Sequence, residues 1–344
     1  MSQGDPREFL AGASENYMMR GRAAIVVGTY RIFFVSDLHG SEVCFRKFIN
    51  SADAYRPDLL IYGGDILGKT LVPILEEGGG SYHWYPNGEK KIRFPAADLP
   101  KVERQVADQG RYSMTVTPER WNELRNTPGK LEAMTLEFGR DRLRAWLRLI
   151  GERLKPKGVS VVINVGNDDT DDVLDLLRSD GPSNILVPEG DVVHAGPYEI
   201  FGCGYANMTP WRCARDLEEA DLQKVLDRTV GRIGNPEHTI LDIHAPPLET
   251  GLDLAPQLDA HLKPKTVGGQ VLLEHVGSSS VRRVVEDVQP VLGLFGHIHE
   301  SKAMDEIGKT PIVNPGSTYF SGHLQGVLLD LRGGELASHL FVTG

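Results

Sequence analysis

Asp37-Leu38-His39, Gly64-Asp65, Gly166-Asn167-Asp168-Asp169, His244 and Gly296-His297-Ile298-His299 supply carboxylate, amide and imidazole donors of the kind that hold divalent cations. Mixed oxygen and imidazole ligation suits manganese, iron or zinc better than calcium, and the set contains no thiolate cluster for structural zinc. Carboxylates gathered in one cleft resist ionisation unless cations compensate them. Two cations roughly 3.5 to 4 Å apart can clamp a phosphoryl group and lower the pKa of a bridging water, giving hydroxide near neutral pH. The expected chemistry is therefore phosphoester hydrolysis by a bridging hydroxide, with two divalent ions, manganese preferred, as cofactors.

The elements that must position these groups are short apolar runs directly before them: Arg31-Ile32-Phe33-Phe34-Val35, Leu59-Leu60-Ile61-Tyr62, Val159-Ser160-Val161-Val162-Ile163, Thr239-Ile240-Leu241 and Val291-Leu292-Gly293-Leu294-Phe295. Sites of open α/β sheets lie outside the carboxyl ends of strands. Five strand exits could thus converge on one crevice.

The order and spacing of the motifs resemble the calcineurin-like metallophosphoesterase superfamily. His244-Ala245-Pro246-Pro247-Leu248-Glu249-Thr250-Gly251-Leu252-Asp253, His275-Val276-Gly277-Ser278, Gly296-His297-Ile298-His299-Glu300 and Asn314-Pro315-Gly316-Ser317 look like its Icc-related phosphoesterase branch, over most of residues 30–67 and 158–332. The resemblance implies a four-layer α/β/β/α sandwich of two mixed sheets. It places Asp37, His39 and His299 on a first metal and Asn167, His244 and His297 on a second, with Asp65 bridging. Asn167 and His244 would also stabilise developing charge. His275 and the Asn314-Pro315-Gly316-Ser317 turn read as structural or supporting residues, outside the ligand set.

Many members of that superfamily carry His after Gly-Asn, where this chain has Asp168, completing a catalytic set of Asn167, Asp168 and His244. A carboxyl there donates a proton only if its pKa is raised, and nearby cations lower it. The substitution should penalise poor leaving groups most, which favours a phosphodiesterase. Asp168 and Asp169 also read as the acidic start of a helix over Thr170–Leu177. The alternatives are a phosphomonoesterase and a catalytically weak metal-binding scaffold that recruits a protein partner.

Ser41 to Tyr55 reads as an amphipathic helix with Ser41 as N-cap, and Cys44 and Phe48 on its apolar side. Residues 30–68 and 158–344 would form the core, preceded by an N-terminal extension, 1–29, in which Tyr17-Met18-Met19 could cross the core or join a dimer. Residues 69–157 are too long for a connection and are expected to form a largely helical inserted subdomain, a candidate cap. Within it, Gly78-Gly79-Gly80 and Ser81 to Gly88 suggest a hairpin-like excursion. Leu131 to Leu154 repeats Leu143, Trp146, Leu147, Ile150 and Leu154 at helical spacing, to dock on the core or on a second subunit of a homo-oligomer. Arg93, Arg104, Arg111 and Tyr82-His83-Trp84-Tyr85 are candidates for grasping phosphate or stacking a base.

The chain has 344 residues, 40% hydrophobic and 24% charged, as a soluble globular protein would. Its net charge of −10 disfavours nonspecific nucleic-acid binding. The resemblance implies a phosphodiester small molecule or nucleotide as the substrate. No secretory leader is read at the start, and no apolar stretch approaches the roughly 18 residues needed for membrane insertion. Cys44, Cys203 and Cys213 are odd in number and lack a Cys-x-x-Cys pair, which suits a reducing, cytoplasmic setting.

Overall fold

Each apolar run before a candidate ligand folds as a strand: Tyr30–Val35, Leu59–Gly63, Ser160–Asn164, Thr239–Ile243 and Leu292–Leu294. The computed structural model describes residues 28–344 except Asn87 and Glu89. Tyr17-Met18-Met19 and nearly all of the expected extension lie outside the described residues.

Successive side chains of a strand face opposite ways, and this alternation builds the layers. Ile32 and Phe34 enter an apolar cluster with Leu59, Ile61, Ile240 and Leu292, between two sheets. Phe33 and Val35 enter another with Phe45 and Phe48, under helices. The first sheet runs Glu335–Thr343, Gln325–Arg332, Tyr30–Val35, Leu59–Gly63, Ser160–Asn164, Ile185–Leu186. The second runs Ala303–Ile307, Thr310–Asn314, Leu292–Leu294, Thr239–Ile243, Tyr198–Cys203, Val192–Ala195. Each mixes parallel and antiparallel neighbours.

Helices cover both outer faces. On the first sheet lie Glu42–Tyr55, the C-terminal part of Lys130–Arg153, and Asp171–Asp180. On the second, Glu219–Val230 and Ser279–Val288 contribute Leu222, Leu226, Val281 and Val285 to a third cluster with Leu241 and Ile243. The result is the α/β/β/α sandwich. Ser41 caps the first helix, its Oγ accepting from Cys44 N at 3.4 Å, and Cys44 and Phe48 are buried as their spacing suggests.

Between the second and third of these core strands, helices Leu99–Asp108, Pro118–Arg125 and Lys130–Arg153 make up much of the chain. They are joined by a four-stranded sheet ordered Ile92–Pro95, Ser81–Trp84, Leu71–Gly78, Tyr112–Val116. The sequence signalled that sheet only as a turn-rich or hairpin-like excursion. Its small core holds Ile74, Trp84, Phe94, Val102 and Val106.

The 24-residue helix Lys130–Arg153 ties this region to the main body. Leu143, Trp146, Leu147 and Ile150, with Leu154 just beyond the helix, share one cluster with Phe45 and Val161, so these side chains dock on the core. Trp146 stacks on Phe45 with ring centroids 4.0 Å apart and donates from Nε1 to Glu42 Oε2 at 2.7 Å. Among the described residues, no helix is long and apolar enough to cross a membrane.

Truncating a buried tryptophan leaves a large cavity, and here it also orphans the Glu42 carboxylate from its indole partner. Trp146→Ala should lower the unfolding free energy by about 3–5 kcal/mol, measured by chemical denaturation. A loss under about 1 kcal/mol, the range of a surface substitution, would contradict the docking of this helix.

Candidate metal centre

The strand exits are laced to one another through their backbones. Asp37 N donates to Gly64 O at 3.0 Å, His39 N to Asp65 O at 2.9 Å, and Gly296 N to His244 O at 3.0 Å. The turns are so tight that Asp37, His39, Asp65 and His297 take φ values of 57°, 41°, 53° and 68°. Residues in this sparsely populated region cluster at functional sites, and Asp and His tolerate it better than most. Glycine is required beside them for closeness: a Cβ on Gly166 would collide with Asp65 Oδ1, and one on Gly296 with Ser36 Oγ and the Asp37 carboxylate.

Asp37, His39 and His299 offer donor atoms within one group, as do Asp37, Asp65 and His244. His39 Nε2 lies 3.1 Å from His299 Nε2, and His299 Nε2 lies 3.4 Å from Asp37 Oδ1. Ligand bonds of about 2.1 Å meeting near right angles set neighbouring donors about 3 Å apart, close to these spacings. Asp65 turns its two oxygens to different histidines, Oδ2 to His39 Nε2 at 3.5 Å and Oδ1 to His244 Nε2 at 3.4 Å. Asn167 Oδ1 sits 3.0 Å from His297 Nδ1. The donors named from the sequence are thus brought together.

In this cluster two buried imidazole nitrogens, His39 Nδ1 and His244 Nε2, have no hydrogen-bond partner among the described residues. His244 Nδ1 donates to Gly63 O at 3.0 Å, since a carbonyl can only accept, so in the neutral ring the Nε2 lone pair is aimed at the Asp37 and Asp65 side. The residues present fit divalent cations. Asp/His clusters of this kind, with neighbouring amide and imidazole donors, are suited to hold them.

Burial raises the Asp65 carboxyl to about 7, opposed by His244 and assisted by Asp168 and Asp37. Burial alone would lower His244, but the Asp65 and Asp37 carboxylates lift it to about 10. Burial would raise Asp37 too, yet His299, His244 and His39 hold it well below the usual carboxylate range. His39 is pushed down to about 3 by burial and by the charge of His299.

Asp168 is a different case. Burial would raise its carboxyl, but His39 and Lys69, with a hydrogen bond from Cys213, bring it to about 2. Its oxygen pairs with Lys69 Nζ, and its backbone N donates to Asp65 Oδ1 at 3.0 Å. An ionised, paired carboxylate is unsuited to protonate a leaving group. Asp169 neither faces the donors nor caps the helix, whose N-cap is Thr170. Its carboxylate accepts from Gly166 N at 2.9 Å, Ile66 N at 3.0 Å and Leu67 N at 3.1 Å, clamping two loops together.

Several supporting residues had no motif to reveal them. Asp216 Oδ1 accepts from Asn167 Nδ2 at 2.7 Å, which turns the amide oxygen toward His297. Asp216 Oδ2 is in turn held by Thr209 N at 3.1 Å and Cys213 N at 2.9 Å. Buried Arg215 donates from its backbone N to Asn167 O at 3.0 Å and pairs with Glu189. The Asn314-Pro315-Gly316-Ser317 turn also belongs here: Asn314 Nδ2 donates to Ile298 O at 2.9 Å, and Ser317 Oγ to Asp37 O at 2.6 Å. His275 pairs with Asp253 at 2.7 Å, a structural contact.

One solved structure superposes on 92% of this chain and 99% of its own with a TM-score of 0.56 at 17% identity. The two chains share a fold, a mixed α/β sandwich. A structure described as a novel archaeal phosphodiesterase matches 91% of this chain and 99% of its own at 11% identity, with a TM-score of 0.31. In sequence, an uncharacterized protein of Methanocaldococcus jannaschii is 32% identical over 158 residues, 45% of this chain. That match spans 63% of the relative's length. No protein-family model matches the chain.

The segment between the second and third core strands leaves some expected substrate contacts elsewhere. Trp84 is buried in its small core, and Tyr82 stacks on Phe94 with centroids 5.9 Å apart. Arg93 pairs with Glu77 at 2.9 Å, and Arg111 donates to Pro86 O at 3.0 Å. Lys69, which no motif singled out, is instead the cation beside the candidate ligands.

His244 carries a proton at neutral pH without a cation, because its pKa is raised to about 10, and a ligating imidazole must give that proton up. Manganese binding at pH 7 should therefore release at least about one proton, and affinity should rise as pH increases through neutrality. Calorimetry in buffers of differing ionisation enthalpy reads this directly. Heats independent of the buffer would show that His244 is not displaced from its proton.

Proposed function

We propose that the chain is a dimetal-dependent phosphoester hydrolase that prefers phosphodiesters. The observation that carries the reading is Asp65, buried with one oxygen toward His39 and the other toward His244. A carboxylate flanked in this way suits a bridge between two cations, with Asp37, His39 and His299 on one side and Asn167, His244 and His297 on the other. Such ions would supply Lewis acidity toward phosphoryl oxygens and lower the pKa of water.

The chain's own groups account for the rest. Asn167, fixed by Asp216, and His244, fixed by Gly63 O, present a preset polar wall to developing charge. Lys69 stands beside Asp168, and its half-exposed ammonium can meet a non-bridging phosphate oxygen. Ionised Asp168 cannot protonate the leaving group, so turnover should favour leaving groups of low pKa. Asp65 and Asp168 also disfavour the second negative charge of a monoester, which supports the diester. The Icc-related resemblance and a cytoplasmic location fit this reading.

Purified protein, stripped of metal and then given manganese, should hydrolyse an aryl phosphodiester faster than the matching monoester. His244→Ala should reduce the diester rate by about a hundredfold or more, as loss of a ligand exceeds the 10–100-fold cost of altering its support. Equal rates in His244→Ala would assign the turnover to a contaminant. No turnover of either ester by protein that binds manganese would refute the reading.

A further inference from the structure

Beside Lys69 and Asp168, a cleft of about 380 Å³ separates residues 67–71 from the first turns of the helix Lys130–Arg153. Much of its exposed wall is apolar, from Leu67 and Leu71 on one side, Leu131 and Leu136 on the other, and Val173, with polar and charged side chains between them. The volume falls within the range of small-molecule sites, which are concave, mostly apolar and equipped with few polar groups. The cleft adjoins the candidate metal centre: Asp168 lines the one and stands in a donor group with His39 and Asp65 in the other.

The charges around the cleft restrict what can enter. Glu132, Asp168 and Asp169 line it, Asp169 with its carboxylate turned to backbone N–H groups, and Lys69, the one cation among the described lining residues, is already paired with Asp168. A second phosphate or a carboxylate would go uncompensated there. Thr170 Oγ1, also on the wall, is buried without a hydrogen-bond partner among the described residues and could meet one ester or hydroxyl group.

We propose that this cleft is the subsite for the non-phosphate group of the substrate, and that this group is an uncharged apolar chain or ring carried on a monoanionic phosphodiester. The inference rests on the phosphoesterase reading of the adjoining centre and adds a substrate class to it. The inserted region then selects substrate by supplying the wall formed by Leu131 and Leu136. Its buried Trp84 takes no part.

Methyl and hexyl p-nitrophenyl phosphate release the same phenolate, so their comparison isolates the alkyl group. With the full chain and manganese, kcat/KM for the hexyl ester should exceed that for the methyl ester by about tenfold or more, since each buried methylene adds to binding. Thr135→Trp, which fills the cleft, and Leu131→Asn, which makes its wall polar, should each bring the ratio to within about twofold of one. Because the ratio is read within each protein, any general loss at the metal centre cancels. A wild-type ratio near one, or a large ratio retained in both variants, would overturn the subsite. If the wild-type chain turns over neither ester, the phosphoesterase reading fails and the subsite is judged on calorimetry alone. Hexylphosphonate should then bind at least about tenfold more tightly than methylphosphonate, with the preference lost in Thr135→Trp. Equal binding would overturn the subsite independently of activity.

Discussion

Asp37 and Asp65 are buried near one another, with His244 Nε2 3.8 and 3.4 Å from their nearest oxygens. Carboxylates withdrawn from water beside each other are unstable unless positive charge compensates them. Without cations, His244 meets part of that need by holding a proton. The surrounding architecture keeps the donors where water cannot satisfy them. Strand exits force Asp37, His39, Asp65 and His297 into left-handed backbone, at roughly 1–2 kcal/mol each, and Asp169, Asp216 and Ser317 tie the strained loops to their neighbours. Strain of this size persists only where the surrounding structure over-determines it.

The same economy of contacts links the inserted region to the centre. The helix Lys130–Arg153 is anchored in the main core by Trp146 and Leu147 through its C-terminal half. Its N-terminal turns carry Leu131 and Leu136 to the edge of the cluster around Asp168. A single helix thus spans from the structural core to the cleft beside Asp168. Arg142 reinforces it by donating to Gly40 O at 2.7 Å and Arg111 O at 2.9 Å, joining the first metal-motif loop to the inserted sheet.

Much of this was legible in the sequence because it depends on local pattern. Strand alternation in Tyr30–Val35, the Ser41 cap and the helical repeat of Leu143, Trp146 and Ile150 are dictated by near neighbours along the chain. The donors stood out because Gly-His-x-His and a strand-end His have few other uses. What escaped notice depends on distant contacts. Asp169 resembles a helix start in sequence, yet its partners are Ile66 and Leu67, about a hundred residues earlier. Trp84 looks available for stacking until Val102 and Val106 fold over it. Lys69 and Asp216 lie in no recognisable pattern, and only the folded loops bring them to Asp168 and Asn167.

The central claim is that this cluster of buried acids, amide and imidazoles holds two cations joined through Asp65. Electron paramagnetic resonance of the manganese-loaded chain, with metal content determined on the same sample, tests it most directly. Two ions per chain giving a spin-coupled spectrum, reduced in Asp65→Asn to one ion or to an uncoupled signal, is the result this account requires. A single ion, or two uncoupled ions indifferent to Asp65→Asn, would contradict it.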